Sequence, residues 1–377
     1  MELYNYRVGV LTEGAELGEL DVAIIVVVTG GTEHLILELS KMSKITILLA
    51  HETMNSLPAA LEALSKLRED KRKAWLFFGE GIRDKIKRLL RAKNFVDKLS
   101  KMRIGLIGEP SPWLVYSAGS RRELSRRFGI KFKDINIDML YRIYEETPDP
   151  KETQIKDLLG TKIASEIPKS SLIKSIRLYL ALKELINRES LYAVTIRCFD
   201  MIKDLKTTAC LPLALLNSEG IIAGCEGDVP ALFSMIIGKE MSGKPTFMGN
   251  LAWIHDKEVM VAHCTIPLLI VNRFSLKTHF ESGLGVGVAG EVRKGTTVTM
   301  LRYDAKRNLI RVARGSIKSG VPTSLQHCRT QLIISIDGEP DKLIKDPIGN
   351  HQVIVFDDIR EELRYLAELL NIMYEEL

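Results

Sequence analysis

The residues with most chemical potential lie in Cys225-Glu226-Gly227-Asp228-Val229-Pro230. Carboxylates at i and i+2 share a face if the backbone stays extended. Like charges that close repel, so a shared proton or a cation between them is expected. Such a segment most simply reads as a solvated acidic loop, but residues 211–216 before it and 231–237 after it are apolar. That setting favours a buried or metal-linked site. His263-Cys264 and His351 are the other groups of interest. A histidine in a β-rich stretch is more often a hydrogen-bonded core residue than a ligand. His351, however, follows Pro347-Ile348-Gly349-Asn350 and precedes a strand, a loop position from which a side chain reaches a cleft. Spacing alone does not bring Glu226 and His351 together.

Two more loops stand where ligands bind. Val28-Thr29-Gly30-Gly31-Thr32-Glu33-His34 puts a Gly-Gly turn at the carboxyl end of an apolar run and then opens a helix. The plain reading is a structural turn with Thr32 as helix cap. The functional reading makes Glu33 and His34 ligand contacts at the sheet edge, with His51 and Glu52 on the same edge. Gly108-Glu109-Pro110-Ser111-Pro112-Trp113 follows another strand. Its prolines stiffen the loop, and the Trp113 ring suits either sugar stacking, with Ser111 beside it, or ordinary packing. By contrast, Gly285-Val286-Gly287-Val288-Ala289-Gly290 matches the dinucleotide string but lies in a β-rich region with no helix following, so it reads as strand.

The elements that must position these groups fall into three stretches. Strands are expected over 22–28, 45–49 and 74–78, with a helix over 57–64 capped by Ser56. A lysine-rich linking helix follows, and a second unit restarts with a strand over 103–108. It continues with a helix over 170–187 and strands over 191–197 and 220–225. The pattern predicts two Rossmann-like open parallel α/β sheets in series, over 1–98 and 99–245. From there the texture is short strands without helices: 259–262, 285–292, 296–303, 309–313, 330–336 and 353–356. These predict an antiparallel β-barrel-like domain over 246–377, closed by an amphipathic helix over 357–377.

Bulk properties exclude several classes. The 377 residues carry 53 basic and 48 acidic side chains, a net charge of +5 that is scattered rather than gathered into a nucleic-acid footprint. The longest apolar run, 22–28, is too short to cross a bilayer, and no basic segment leads into a signal-like run at the start, so a cytoplasmic protein is expected. The five cysteines are odd in number and lack CxxC spacing, which favours reduced, buried thiols.

Taken together, the segments resemble the L-fucose isomerase and L-arabinose isomerase superfamily. The matching stretches are GGTEH at 30–34, SLPAALEAL at 56–64, RIGLIGEPSPWLVYS at 103–117 and ACLPLALLNSEGIIAGCEGDVPAL at 209–232, then HC at 263–264, THFESG at 278–283, VRKGTTVTMLRYD at 292–304 and NHQVIVFDDIREEL at 350–363. They run in family order over nearly the whole chain. The resemblance implies the two Rossmann-like domains and the β-domain, and a homo-oligomer, a trimer or hexamer, with active sites between subunits. It also implies a manganese or other divalent ion held by a glutamate, an aspartate and a histidine. By motif the glutamate is Glu226 and the histidine is His351, while the aspartate position holds Asn250. An amide offers an oxygen to a hard ion but cannot take a proton, so either Asp228 or a water would have to compensate.

The expected catalytic residues are therefore Glu226 and Asn250, and the expected metal ligands Glu226, Asn250 and His351. Trp113, Ser111, Asp228, His263, Glu33 and His34 are the expected sugar contacts. The resemblance implies an aldose–ketose isomerase acting on a pentose, deoxyhexose or modified hexose through an enediol. Asn250 keeps open the alternative of a non-catalytic sugar-binding or regulatory homologue. A small-molecule sugar is the expected partner, with no nucleic acid and no membrane.

Overall fold

The computed structural model describes residues 20–160 and 164–377, in two compact units that meet in sequence at Arg88 and Leu89. In the first, strands β1 (Leu20–Val26), β2 (Ser43–Leu49) and β3 (Lys73–Phe77) form a parallel sheet in the order β1-β2-β3. The crossover helices are Glu33–Lys41 and Ser56–Glu69. Ala59, Ala60 and Ala63 of the second helix are buried in one cluster with Val27, Ile36 and Leu48, where small side chains let helix and sheet approach closely.

Of the two expected caps, Ser56 is corrected and Thr32 holds in position only. The cap of the second helix is Asn55, in the left-handed region, and Ser56 is its first residue. The Ser56 hydroxyl instead donates to the Val27 carbonyl and accepts from the His51 amide. Thr32 does occupy the cap position of the first helix, but its hydroxyl donates back to the Thr29 carbonyl, 2.8 Å away, rather than capping.

The second unit contains β4 (Arg103–Ile107), β5 (Lys131–Ile135), the short β6 (Ala164–Ser165), β7 (Ala193–Ile196) and β8 (Ile222–Cys225). Four of these form a parallel sheet ordered β5-β4-β7-β8. The chain leaves β4 toward β5 on one side and reaches β7 on the other, so the sheet's switch point lies between the carboxyl ends of β4 and β7. That is where open α/β sheets form their ligand crevice. Helix Lys169–Arg188 packs against helices Ile137–Glu146 and Cys210–Ser218, and helices Cys210–Ser218 and Val229–Ser242 are buried on nearly all sides, which accounts for their continuous apolar sequence.

The remaining strands are β9 (Thr246–His255), β10 (Glu258–His263), β11 (Arg273–Lys277), β12 (Gly287–Glu291), β13 (Thr297–Asp304), β14 (Leu309–Ser319), β15 (Thr330–Ile336), β16 (His351–Val355) and β17 (Met373–Glu376). Six form a closed antiparallel barrel, β13-β16-β9-β10-β15-β14, with β14 pairing back to β13. Helix Val229–Ser242 packs against β8 and β7 on one side and against β13, β16 and β9 on the other. It thereby joins the parallel sheet to the barrel.

Two expectations for this region change. The ten-residue β9 lies where no strand was expected. The closing helix spans only Arg360–Leu370; Asn371 then turns left-handed, and β17 pairs in parallel with β14. The glycine-rich string at 285–290 runs into β12. A Cβ on Gly290 would lie 2.6 Å from Ile266, so close packing of neighbouring segments requires that glycine. Among the described residues no helix is long and apolar enough to cross a membrane.

Candidate metal centre

β8 ends at Cys225, and the next two residues both turn left-handed, Glu226 at φ 66° and Gly227 at φ 75°. Asp228 then caps helix Val229–Ser242 by accepting from the Ala231 amide at 2.9 Å. A glutamate in the left-handed region is strained by about 1–3 kcal/mol, so its surroundings must hold it there. The Glu226 amide donates to the Ile196 carbonyl at 2.8 Å, and its carbonyl accepts from the Ser111 amide at 2.9 Å. The Gly227 amide donates to the Thr195 hydroxyl at 3.1 Å, and a Cβ on Gly227 would lie 2.7 Å from Pro110. The turn is thus gripped by β7 and by the Gly-Glu-Pro-Ser-Pro loop, at the switch point of the sheet. Because the backbone is not extended there, Glu226 and Asp228 do not share a face.

Glu226 points toward two histidines from the barrel. His263 is the last residue of β10 and His351 the first of β16. β9 runs between them, with Asn250 opposite both His351 and Ala262 in register. The Oε1 of Glu226 is 3.5 Å from His351 Nε2 and 3.6 Å from His263 Nε2, and one donor atom from each of the three residues lies within 4.8 Å of the others. All three are buried: Glu226 7%, His263 5% and His351 0% exposed. His351 Nε2 and His263 Nδ1 have no hydrogen-bond partner among the described residues. Two donors each about 2.1 Å from one cation, at angles of about 110°, stand roughly 3.4 Å apart. The spacing therefore suits a shared metal ion better than direct hydrogen bonds. The donor set, one carboxylate and two imidazoles, suits Zn, Fe or Mn-type divalent ions.

The outer contacts complete this arrangement. The other Glu226 oxygen accepts from Trp113 Nε1 at 2.7 Å. His351 Nδ1 meets Asp228 Oδ2 at 2.9 Å, the carboxylate–histidine pairing that leaves the far imidazole nitrogen directed at a metal. Asp228 also accepts two hydrogen bonds from Arg302, both at 3.1 Å. Burial pushes the Glu226 carboxyl upward, but the two imidazoles outweigh it and hold the group well below the usual carboxylate range. Burial likewise opposes charge on Asp228, and Arg302 with His351 reverses that. For His351 burial acts downward, while Asp228 and Glu226 raise it to about 9. Next to the centre, His279 is pushed down to about 4 by burial, with His263 and Arg329 adding to the effect.

The residues singled out in the sequence fall in different places. Glu226, His263 and His351 come together as a group that could hold a metal ion, so His263, expected as a sugar contact, is also a candidate ligand. Asn250 lies on the strand between the two histidines, where its Oδ1 accepts from Asn350 Nδ2 at 2.7 Å. Asp228 has four protein donors, from Arg302 twice, His351 and Ala231, which fill a carboxylate's acceptor sites. Ser111 is buried, and its hydroxyl has no partner among the described residues. Trp113 stands edge-on to Phe199, with centroids 4.9 Å apart, and remains 49% exposed, so part of its ring is free for a ligand. Glu33 and His34 open helix Glu33–Lys41 in the first unit. Sequence reasoning passed over Arg302, Ser117 and Phe199. Arg302 carried a signal, since an arginine directly after the apolar pair Met300-Leu301 in a strand needs a buried acid, but nothing in the sequence named the partner.

No family model matches the chain. Among curated proteins it is similar over most of its length to sulfoquinovose isomerases. It is 24% identical over 349 residues to the one from Clostridium sp. (strain MSTE9), covering 85% of this chain and 76% of that protein. The enzyme of Alkalicoccus urumqiensis is 22% identical over 345 residues, 86% of this chain and 76% of the relative. That of Priestia megaterium (strain ATCC 12872 / QMB1551) is 23% identical over 340 residues, 85% and 75% respectively. These homologues are sugar isomerases at low identity.

Proposed function

We propose that the protein is a metal-dependent aldose–ketose isomerase acting on a modified hexose, with sulfoquinovose, a sulfonated sugar, as the first candidate. The carrying observation is the convergence of Glu226 Oε1 with His263 Nε2 and His351 Nε2 at the sheet's switch point. These three residues would hold a divalent ion, Mn2+ in the reading carried from the resemblance, and such an ion when bound polarises a sugar carbonyl and its neighbouring hydroxyl. Glu226 is the acid of the cluster. It takes the proton from C2 of the open-chain aldose and returns it to C1 of the enediol, while the O2 proton passes to O1, so the change needs no oxidant. Trp113 fixes the second Glu226 oxygen by its N–H and offers its exposed ring to the sugar. Asn250 accepts no proton; with Oδ1 taken by Asn350, it presents its NH2 group as a donor to a sugar oxygen. The Ser111 hydroxyl is a further proposed contact, and Glu33 and His34 rest on the GGTEH match alone. A cytoplasmic homo-oligomer, trimer or hexamer, is proposed on the same resemblance.

The test is conversion of sulfoquinovose and a panel of aldoses to ketoses by the Mn2+-loaded protein, with Glu226→Gln as the negative control. Activity that survives Glu226→Gln overturns the assignment. The amide at Asn250 favours a second reading, a sugar-binding homologue without catalysis. Activity appearing only in Asn250→Asp supports that reading, and a fully active wild type rules it out.

A further inference from the structure

Beneath the three candidate ligands lies a buried ionic layer. The guanidinium of Arg302, 1% exposed, forks onto both oxygens of Asp228, 0% exposed. Its NH2 group also donates to the Ser117 hydroxyl at 2.9 Å. A Cβ on Gly349, at φ +119°, would lie 2.7 Å from that same NH2 atom, so a glycine two residues before His351 makes room for the fork. Arg302 therefore meets the cap of helix Val229–Ser242, the segment that leads into His351, and the loop that carries Trp113.

A structural ion pair could be met by any close approach of unlike charges, but this contact is directional. The fork fixes the plane of Asp228, and the fixed carboxylate then presents Oδ2 to His351 Nδ1. His351 Nε2 is left facing Glu226 Oε1. The same NH2 group that donates to Asp228 Oδ1 also holds Ser117, on the loop whose Ser111 amide and Trp113 indole both bond to Glu226. One guanidinium thus ties together the supports of two candidate ligands that come from different elements.

We propose that Arg302, acting through Asp228 and Ser117, is the positioning residue that sets His351 and the Trp113 loop at the distance a divalent ion requires. The inference rests on the metal reading of Glu226, His263 and His351. Lysine keeps the charge but loses the fork, so Arg302→Lys is expected to weaken metal binding about 10–100-fold, the usual cost of losing an outer-layer partner. Ser117→Ala, which loses one hydrogen bond, is expected to weaken it less and to alter Trp113 emission.

The experiment is a Co2+ titration of the full chain, wild type, Arg302→Lys and Ser117→Ala, following the visible absorption of the bound ion and tryptophan emission, with circular dichroism to check folding. Weaker binding with a changed cobalt spectrum in folded Arg302→Lys supports the proposal. Unchanged affinity and spectrum overturn it, even where thermal stability falls, because a purely structural pair would behave that way. If Arg302→Lys does not fold, Ser117→Ala decides by the same criterion. A wild type that binds no Co2+ sinks the metal reading itself, a result distinct from equal binding by wild type and variants.

Discussion

Glu226 Oε1 and His351 Nε2 face each other across 3.5 Å inside the protein, one from the end of a parallel strand and the other from the start of a barrel strand. That gap is wide for a hydrogen bond and matches two ligands of one ion. The pairing exists because helix Val229–Ser242 holds the sheet and the barrel against each other, so the centre depends on both layers.

Removing ligands separates the true set from its neighbours. Glu226→Gln, His263→Ala and His351→Ala are each expected to weaken Mn2+ or Co2+ binding by on the order of 100-fold or more, beyond the loss typical of outer-layer residues. Asn250→Ala is expected to weaken it less than His263→Ala. Metal analysis and calorimetric titration of the purified variants give the order directly, and the reverse order would put Asn250 in the ligand set in place of His263.

Metal uptake is expected to release protons. His351 in the metal-free protein is raised to about 9, so at pH 7 it carries a proton that an incoming ion displaces. Affinity for the ion should therefore rise with pH up to about 9, with about one proton released per ion from this group at pH 7. Titrations in buffers of different ionisation heat count it. The stability of the metal-free protein runs the other way. A group whose value rises on folding contributes stability that is whole below its unfolded value and is lost as pH climbs through the folded one. Thermal unfolding of the metal-free chain should show His351's share fading between about pH 6.5 and 9.

Much of this architecture was legible in the sequence. The apolar runs with intervening helical spacing marked β1 to β4, β7 and β8 to within a few residues, because mostly buried parallel strands carry continuous apolar sequence. By contrast β5, Lys131–Ile135, went unmarked because its Lys-Phe-Lys-Asp-Ile sequence is more than half charged and lies at the sheet edge. Glu226 and His351 stood out through local context and resemblance. The place of His263 did not, since a histidine ending a strand looks the same whether it is packed or ligating; only the β16-β9-β10 order brings it near His351, across β9. Asp228 looked available because its sequence neighbours say nothing of Arg302, which lies 74 residues further along. The end of the last helix was missed for a similar reason: Met373–Glu376 becomes a strand by pairing with β14, a tertiary effect that overrides local spacing.

Trp113 should report on the centre. Its N–H holds Glu226 Oε2 at 2.7 Å, so binding of an ion is expected to change its emission, isolated as the difference between wild type and Trp113→Phe. The variant leaves a buried carboxylate oxygen short of a donor, which costs about 1–3 kcal/mol. Its metal affinity should fall by less than that of the ligand variants. Emission indifferent to the metal would remove Trp113 from the centre.

The left-handed turn is expected to be intolerant of side chains. Gly227→Ala places a Cβ 2.7 Å from Pro110 at φ +75°. A loss of about 1–3 kcal/mol in chemical denaturation is expected, together with weaker metal binding as Glu226 is displaced. A variant of unchanged stability and affinity would show that the turn does not constrain Glu226.

The most direct test of the proposed chemistry is incubation of the metal-loaded protein in D2O with sulfoquinovose and a set of neutral aldoses, with products read by NMR. Proton transfer through an enediol requires ketose formation, with deuterium entering at C1 or C2 to the extent that the proton held on Glu226 exchanges with solvent, and both are abolished in Glu226→Gln. A protein that holds its ion stoichiometrically yet forms no ketose and exchanges no proton with any of these sugars would contradict the assignment.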